Sequence, residues 1–239
     1  MNDAALIWAY LSQEPLLWLT ATLVAYLIGD AIFRAAGRNS IANPVLIAVI
    51  VLGGLLWATG TDYATYLGGA QFVHFMLGPA TVALGLPLFD NLPRVRRAAL
   101  PMLAGLVVGS TVAVVSALAI ARLAGIEGAA LASLAPKSTT APVAIGIAER
   151  LGGQPTLTAV MVLLTGIFGA IIATPLLNAL RITDWRARGF SVGVAAHGIG
   201  TARAFQVNQT AGAFSGIGMG LNAVLTAIIA PIALRLFGG

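Results

Sequence analysis

The sequence predicts an all-α polytopic membrane protein. Three observations predict it. Of 239 residues, 59% are hydrophobic and 9% are charged, whereas a soluble domain carries about 25% charged residues. The mean hydropathy is +0.94. The apolar residues gather in runs close to the ~20 residues a helix needs to cross a bilayer. We expect about seven or eight transmembrane segments, some of them broken or re-entrant. They form one integral membrane domain over 1–239, with approximate halves 1–125 and 126–239.

The composition also excludes. There is no cysteine, so disulfides and thiolate metal sites are absent. Two histidines, His74 and His197, are too few for a metal cage, and no metal or cofactor is expected. The net charge of +5 does not indicate nucleic acid. Its basic residues are scattered over short loops, which is the pattern of membrane topology. The opening Met1-Asn2-Asp3-Ala4-Ala5-Leu6 lacks a basic n-region, so the first apolar run is expected to stay as an anchor.

In chain order, 16–33 is a continuous apolar run followed by Arg34 and Arg38. The second run, 45–58, follows Asn43-Pro44. The third, 63–89, is interrupted at Gly78-Pro79 and at Pro87, and ends at the basic loop Arg94-Val95-Arg96-Arg97. Residues 100–121 and 157–180 are clean spans. Residues 190–207 are broken at His197-Gly198-Ile199-Gly200-Thr201-Ala202-Arg203, and 214–237 close the series.

Between the two clean spans, 126–148 contains Ala135-Pro136-Lys137-Ser138-Thr139-Thr140-Ala141-Pro142. Proline lacks an N–H and disfavours helix in the residue before it. A helix coming from Ile126 should stop near Pro136. Another can start near Pro142, since proline is tolerated in a first turn, with Thr139 or Thr140 as its N-cap. The unpaired N–H groups of that turn, beside Lys137, make a positive, donor-rich pocket that suits an anion.

Charge sets the expected topology. If every segment crosses, Arg181, Arg186 and Arg188 fall opposite Arg94, Arg96 and Arg97, against the positive-inside rule. If 126–148 dips in and returns, Arg34, Arg38, Arg94, Arg96, Arg97, Arg181, Arg186, Arg188 and Arg235 all lie inside. Only Arg122 and Arg150 then lie outside. Lys137 and Arg203 remain at membrane depth. This predicts seven crossings plus one re-entrant segment, with the N-terminus outside and the C-terminus inside. The broken segments around Pro79 and Gly198 then run in opposite directions, each followed by a clean span. Inverted repeats of transporters are built this way.

A charge at membrane depth costs several kcal/mol, so Lys137 reads as functional, although a lysine in a shallow turn could snorkel. Ser138, Thr139 and Thr140 can cap the break and also hydrogen-bond a substrate. In the second constellation, Gly198 and Gly200 allow positive φ. Thr201 can cap a half-helix, and Arg203 offers a planar fork for a carboxylate. His197 is a proton relay or a histidine satisfied by a backbone carbonyl. Pro79 and Thr81 form a third, uncharged break. Asn222, inside the last span, is a substrate contact or a link between helices. Lys137 and Arg203 are expected to face one central cavity. Lysine, unlike arginine, can release its proton there, which offers a route to proton–anion symport. Ser, His and Asp are present, but they form no convincing catalytic set and no Gly-rich phosphate loop ending in Lys-Ser or Lys-Thr appears, so no enzyme is expected.

At three segments the chain resembles the LrgB/CidB membrane family: 77–88 (LGPATVALGLPL), Pro136-Lys137-Ser138-Thr139-Thr140-Ala141-Pro142, and 197–203 (HGIGTAR). Their order and spacing match over nearly the whole chain. Thr139 stands where relatives commonly have valine, and Ala141 where they have threonine. The resemblance implies a bacterial inner-membrane protein of the kind called holin-like or antiholin-like and linked to control of murein hydrolases and lysis. It also implies relatives that carry small 2-oxo and 2-hydroxy monocarboxylates: pyruvate in bacteria, glycolate and glycerate in plastids. It implies a smaller LrgA/CidA-type subunit as partner, and a plan similar to bile-acid-symporter-like transporters. Two functions follow as expectations. One is a secondary transporter of small organic anions in the lipid bilayer. The other is a holin-like pore or regulator. Self-association into a homo-oligomer is compatible with both.

Overall fold

The computed structural model describes residues 14–76, 79 and 92–238. Every regular element among them is a helix, as the composition predicts. Four helices are long and apolar enough to cross a membrane: α1 (Pro15–Ala35), α5 (Ala99–Leu123), α8 (Pro155–Ala179) and α10 (Gln209–Leu236). The chain divides into two compact units, Met1–Ala83 and Leu84–Gly239.

In the first unit, α1 is followed by α2 (Pro44–Thr59) and α3 (Tyr63–Phe75). The Asn43 side chain accepts from the Val45 and Leu46 N–H groups, and Pro44 follows it at the helix start, where its missing donor is harmless. Gly60, at φ 63°, ends α2. Trp18 is fully buried and meets Tyr66 edge-on at 6.0 Å. A side chain at Gly69 would collide with Pro15 and Trp18, so glycine is what lets α3 lie against α1. The break expected at Gly78-Pro79 and the neighbouring Thr81 fall outside the described residues, apart from Pro79, which is exposed.

The second unit contains α4 (Leu92–Arg97), α5, α6 (Gly128–Leu134), α7 (Ala141–Arg150), α8, α9 (Trp185–Val207) and α10. Helices α5 and α10 run parallel. Met102 and Leu106 near the start of α5 pack with Phe214 and Ile217 near the start of α10. Leu118 and Ala121 pack with Ala230 and Leu234 at the other ends.

The segment α6–α7 breaks where proline chemistry places it. Helix α6 stops at Leu134 and α7 starts at Ala141 with Thr140 as N-cap. The chain then reverses. The Gln154 N–H donates to the Ser133 hydroxyl at 2.7 Å, and the Thr158 hydroxyl donates to the Ser133 carbonyl at 3.2 Å. Twenty residues beyond α6, the chain is back beside it, as a re-entrant 126–148 requires.

Helix α9 departs from expectation. His197 has φ 41° and ψ −133°, which divides the helix into 185–196 and 198–207. The positive φ falls on the histidine, not on Gly198 or Gly200. Along the first leg, Gly189 abuts Ala211 and Gly193 abuts Ser215, so that leg runs parallel to α10. Along the second, Thr201 meets Ser215 and Phe205 meets Gly212, so that leg runs antiparallel. The two legs are therefore antiparallel to each other, and Gly200 packs on Val192. The expectation that 190–207 crosses is corrected: it doubles back. Glycines at 189 and 193 allow backbone-to-backbone approach that no side chain would permit. That approach holds the first leg against α10.

A second correction follows. Because α5 and α10 are parallel, Arg235 lies at the Arg122 end of this unit, not with Arg181 and Arg186. The C-terminal Leu234 and Phe237 pack with Ala121. An inside C-terminus together with an outside Arg122 is thereby excluded.

Candidate functional site

The two breaks meet near the middle of the long helices. Hairpin α6–α7 enters from the Arg122 end, where Arg122 pairs with Glu127. Hairpin α9 enters from the opposite end, where Asp184 caps it by accepting from the Arg186 N–H at 2.8 Å. An ion pair at 2.6 Å joins Asp184 to the Arg186 guanidinium. Hydrogen bonding from that guanidinium holds the Asp184 carboxyl below its ordinary range.

At the first tip, Lys137 is half-buried. Its ammonium donates to the Ser138 hydroxyl at 3.3 Å, and it makes no ion pair among the described residues. Ser138 and Thr139 are buried. Thr139 donates its hydroxyl to the Pro136 carbonyl at 3.1 Å. Thr140 occupies the N-cap position with extended backbone, but its side chain makes no capping bond. Pro142 stands in the first turn of α7, whose opening N–H groups face the break without a side-chain acceptor.

Asn222 fastens that tip. Its Nδ2 donates to the Ser138 carbonyl at 3.0 Å. Its Oδ1 accepts from the Ser110 hydroxyl at 2.6 Å and from Thr226 at 3.2 Å. Asn222 is fully buried at the middle of α10. Of its two sequence-derived roles, the structure displays the link between helices.

At the second tip, His197 is buried. Its Nε2 lies 2.9 Å from the Val162 carbonyl oxygen. A carbonyl only accepts, so Nε2 carries the proton in this bond. A Cβ on Gly166 would come within 2.6 Å of the imidazole Cε1. The glycine thus provides the slot in α8 that holds the ring. Thr201 donates to the His197 carbonyl at 2.7 Å and lies 2.9 Å from the Ser215 hydroxyl. Gly198 lies beside the Met219 sulfur and Gly200 is buried within the hairpin. Met219, which lies beside Gly198 and Thr201, stands three residues before Asn222 on α10, so both tips lie against one stretch of that helix.

The structure thus gathers Lys137, Ser138, Thr139, Asn222, His197 and Thr201 around the two tips. It does not bring Arg203 there. Arg203 lies six residues down the returning leg of α9, about 9 Å from the tip at 1.5 Å per helical residue. It lines a separate small crevice with Thr174, Trp185 and Arg188. Arg188 stacks over Trp185 at 4.8 Å and donates to the Ile182 carbonyl. Sequence reasoning missed Ser110, Ser215 and Thr226, all buried within long apolar helices. Isolated hydroxyls in such helices were their only signal.

The chain matches the model of the LrgB-like family over residues 22–236. It is 34% identical over 216 residues to the Bacillus subtilis protein YwbG, covering 90% of this chain and 96% of that one. It is 36% identical to YxaC of the same organism, over 81% of this chain and 84% of that one. It is 30% identical to the holin-like protein CidB of Staphylococcus epidermidis, over 94% of this chain and 97% of that one. No solved structure matches.

Proposed function

This chain belongs to the LrgB-like family, and from that premise we propose a holin-like integral membrane protein that carries small monocarboxylates across the membrane. The name of its CidB relatives supports the holin-like description. The carrier reading rests on the site.

Its carrying observation is Lys137. An ammonium sits at the tip of one hairpin, beside the buried tip of a second, with no ion pair among the described residues. A half-buried cation is costly unless paired. A substrate carboxylate can supply the missing charge. The serine hydroxyl and the opening N–H groups of α7 can donate to it. Small 2-oxo and 2-hydroxy acids, of the glycolate, glycerate, lactate and pyruvate type, match a site with one cation and several hydroxyls.

The architecture supports the same reading. Residues 128–179 form a hairpin followed by a span, and 185–236 form another in the opposite direction. We read these as an inverted pair with discontinuous helices meeting at mid-depth. With Arg96, Arg97, Arg181, Arg186 and Arg188 at one end against Arg122, Arg150 and Arg235 at the other, the positive-inside rule puts the Arg181 end in the cytoplasm. We place the protein in the bacterial inner membrane.

The second reading is a holin-like pore or regulator of murein hydrolases, acting with a smaller LrgA/CidA-type subunit or as a homo-oligomer. The CidB name favours it. Counterflow in proteoliposomes separates the two. Saturable exchange of labelled glycolate or pyruvate is expected of a carrier. Graded leakage of a neutral dye without saturable exchange would establish the pore instead.

A further inference from the structure

The second unit holds a cavity of about 620 Å³, whose lining does not include Arg203. Its rim carries Arg97, Asp184 and Arg186, at the end where α5 and hairpin α9 begin. Its inner end reaches Gly109, Ala113 and Ala195. Ala195 is two residues before the hairpin tip at His197, and Gly109 and Ala113 flank Ser110 on α5. The walls between are mostly apolar. A Cβ on Gly109 would lie 3.2 Å from the Val194 side chain, so glycine there keeps the passage from narrowing further.

The inner end and Lys137 are separated by one polar layer. Ser110 donates to Asn222, and Asn222 donates to the Ser138 carbonyl next to Lys137. At about 30 Å³ per water, 620 Å³ accommodates roughly 20 waters. That is enough for a small acid with part of its hydration shell. At the rim, Asp184 offsets Arg186 through their ion pair, which leaves Arg97 as the net positive charge. A net positive rim over low-dielectric walls favours anions at the mouth.

We propose that this cavity is the access vestibule for the anion from the Arg181 end, closed on its inner side by the Ser110–Asn222–Ser138 link. The proposal rests on the carrier reading above, adding its route and its sidedness. The protein is in the state open to the Arg181 end.

The native chain has no cysteine, so single cysteines report cleanly. Ala195→Cys and Ala113→Cys are placed in oriented membrane vesicles and treated with impermeant thiosulfonates. Both are expected to react from the Arg181 end, several times faster with an anionic reagent than with a cationic one. Arg97→Gln should remove that preference. Should either variant fail to fold, Ser191→Cys on the exposed cavity wall replaces it. Reaction only with a lipid-soluble maleimide, or only from the Arg122 end, would overturn the proposal. The two readings fail separately. Counterflow without aqueous labelling removes the vestibule and keeps the carrier. Labelling without counterflow keeps a water-filled vestibule and removes the carrier.

Discussion

Lys137 and His197 occupy adjoining tips, yet they test different things. Lys137 makes no ion pair among the described residues, so no salt bridge of the fold depends on its charge, and under the carrier reading that charge is left for the substrate. Lys137→Ala is expected to abolish counterflow while the protein still inserts and keeps its melting temperature in detergent. Wild-type exchange by that variant would mark Lys137 as a turn lysine. Lys137→Arg keeps a charge but fixes it. If Lys137 is the proton carrier, exchange in that variant persists and loses its pH dependence; an unchanged profile moves the role to another group. His197 is held in a conformation that few non-glycine residues adopt, at φ 41°. Such backbone costs about 1–3 kcal/mol and is retained where the surroundings over-determine it. A β-branched residue there is strained further, whereas glycine is not. His197→Val should therefore melt well below His197→Gly, although both lose the Val162 bond. Equal melting temperatures would mean that the imidazole bond, not the backbone, dominates at this position.

At the scale of elements, the two hairpins differ in how legible they were. The break at 135–140 could be read because two prolines forbid a continuous helix across it, and the local chemistry also places the start of α7 near Pro142. The break at His197 could be read from its flanking glycines, but its direction could not. Whether the chain continues or reverses there is decided by what the legs pack against. That is set by Gly189 and Gly193 on one leg and by Ala211 and Ser215, some 22 residues away, on α10. The long helices are apolar on most faces, so periodicity gives no inward face to read. Nothing in the pattern therefore separates Ser110, Ser215 and Thr226 from hydroxyls in lipid-facing spans. The Asn222 link is the element-scale test. Asn222→Ala leaves the Ser110 hydroxyl and the Ser138 carbonyl without this partner, a loss of about 1–3 kcal/mol per buried group. Ser110→Ala combined with it should be clearly non-additive, since both remove one bond. Strict additivity in detergent unfolding would show that Asn222 does not tie α5 to the first tip.

On the scale of the whole second unit, the correction at α9 propagates to the end of the chain. A crossing at 190–207 puts α10 antiparallel to α5. A hairpin puts them parallel, and the packing of Met102 with Phe214 and of Ala121 with Leu234 agrees only with the parallel arrangement. Charge alone could not separate these alternatives. Moving Arg235 to the Arg122 end still leaves Arg94, Arg96, Arg97, Arg181, Arg186 and Arg188 facing Arg122, Arg150 and Arg235, so both satisfy the positive-inside rule. Sidedness does separate them. With single cysteines at Arg122, Arg181 and Arg235 in intact cells, Arg122→Cys and Arg235→Cys should share one reactivity toward an impermeant maleimide, and Arg181→Cys should show the other. The assignment of the Arg181 end to the cytoplasm adds a sign: the first two react from outside and the third does not. If Arg235→Cys groups with Arg181→Cys, the 185–207 segment crosses and the inverted hairpin pair is lost. The positive-inside assignment is a separate matter. It fails alone if the grouping holds but all three reactivities are reversed.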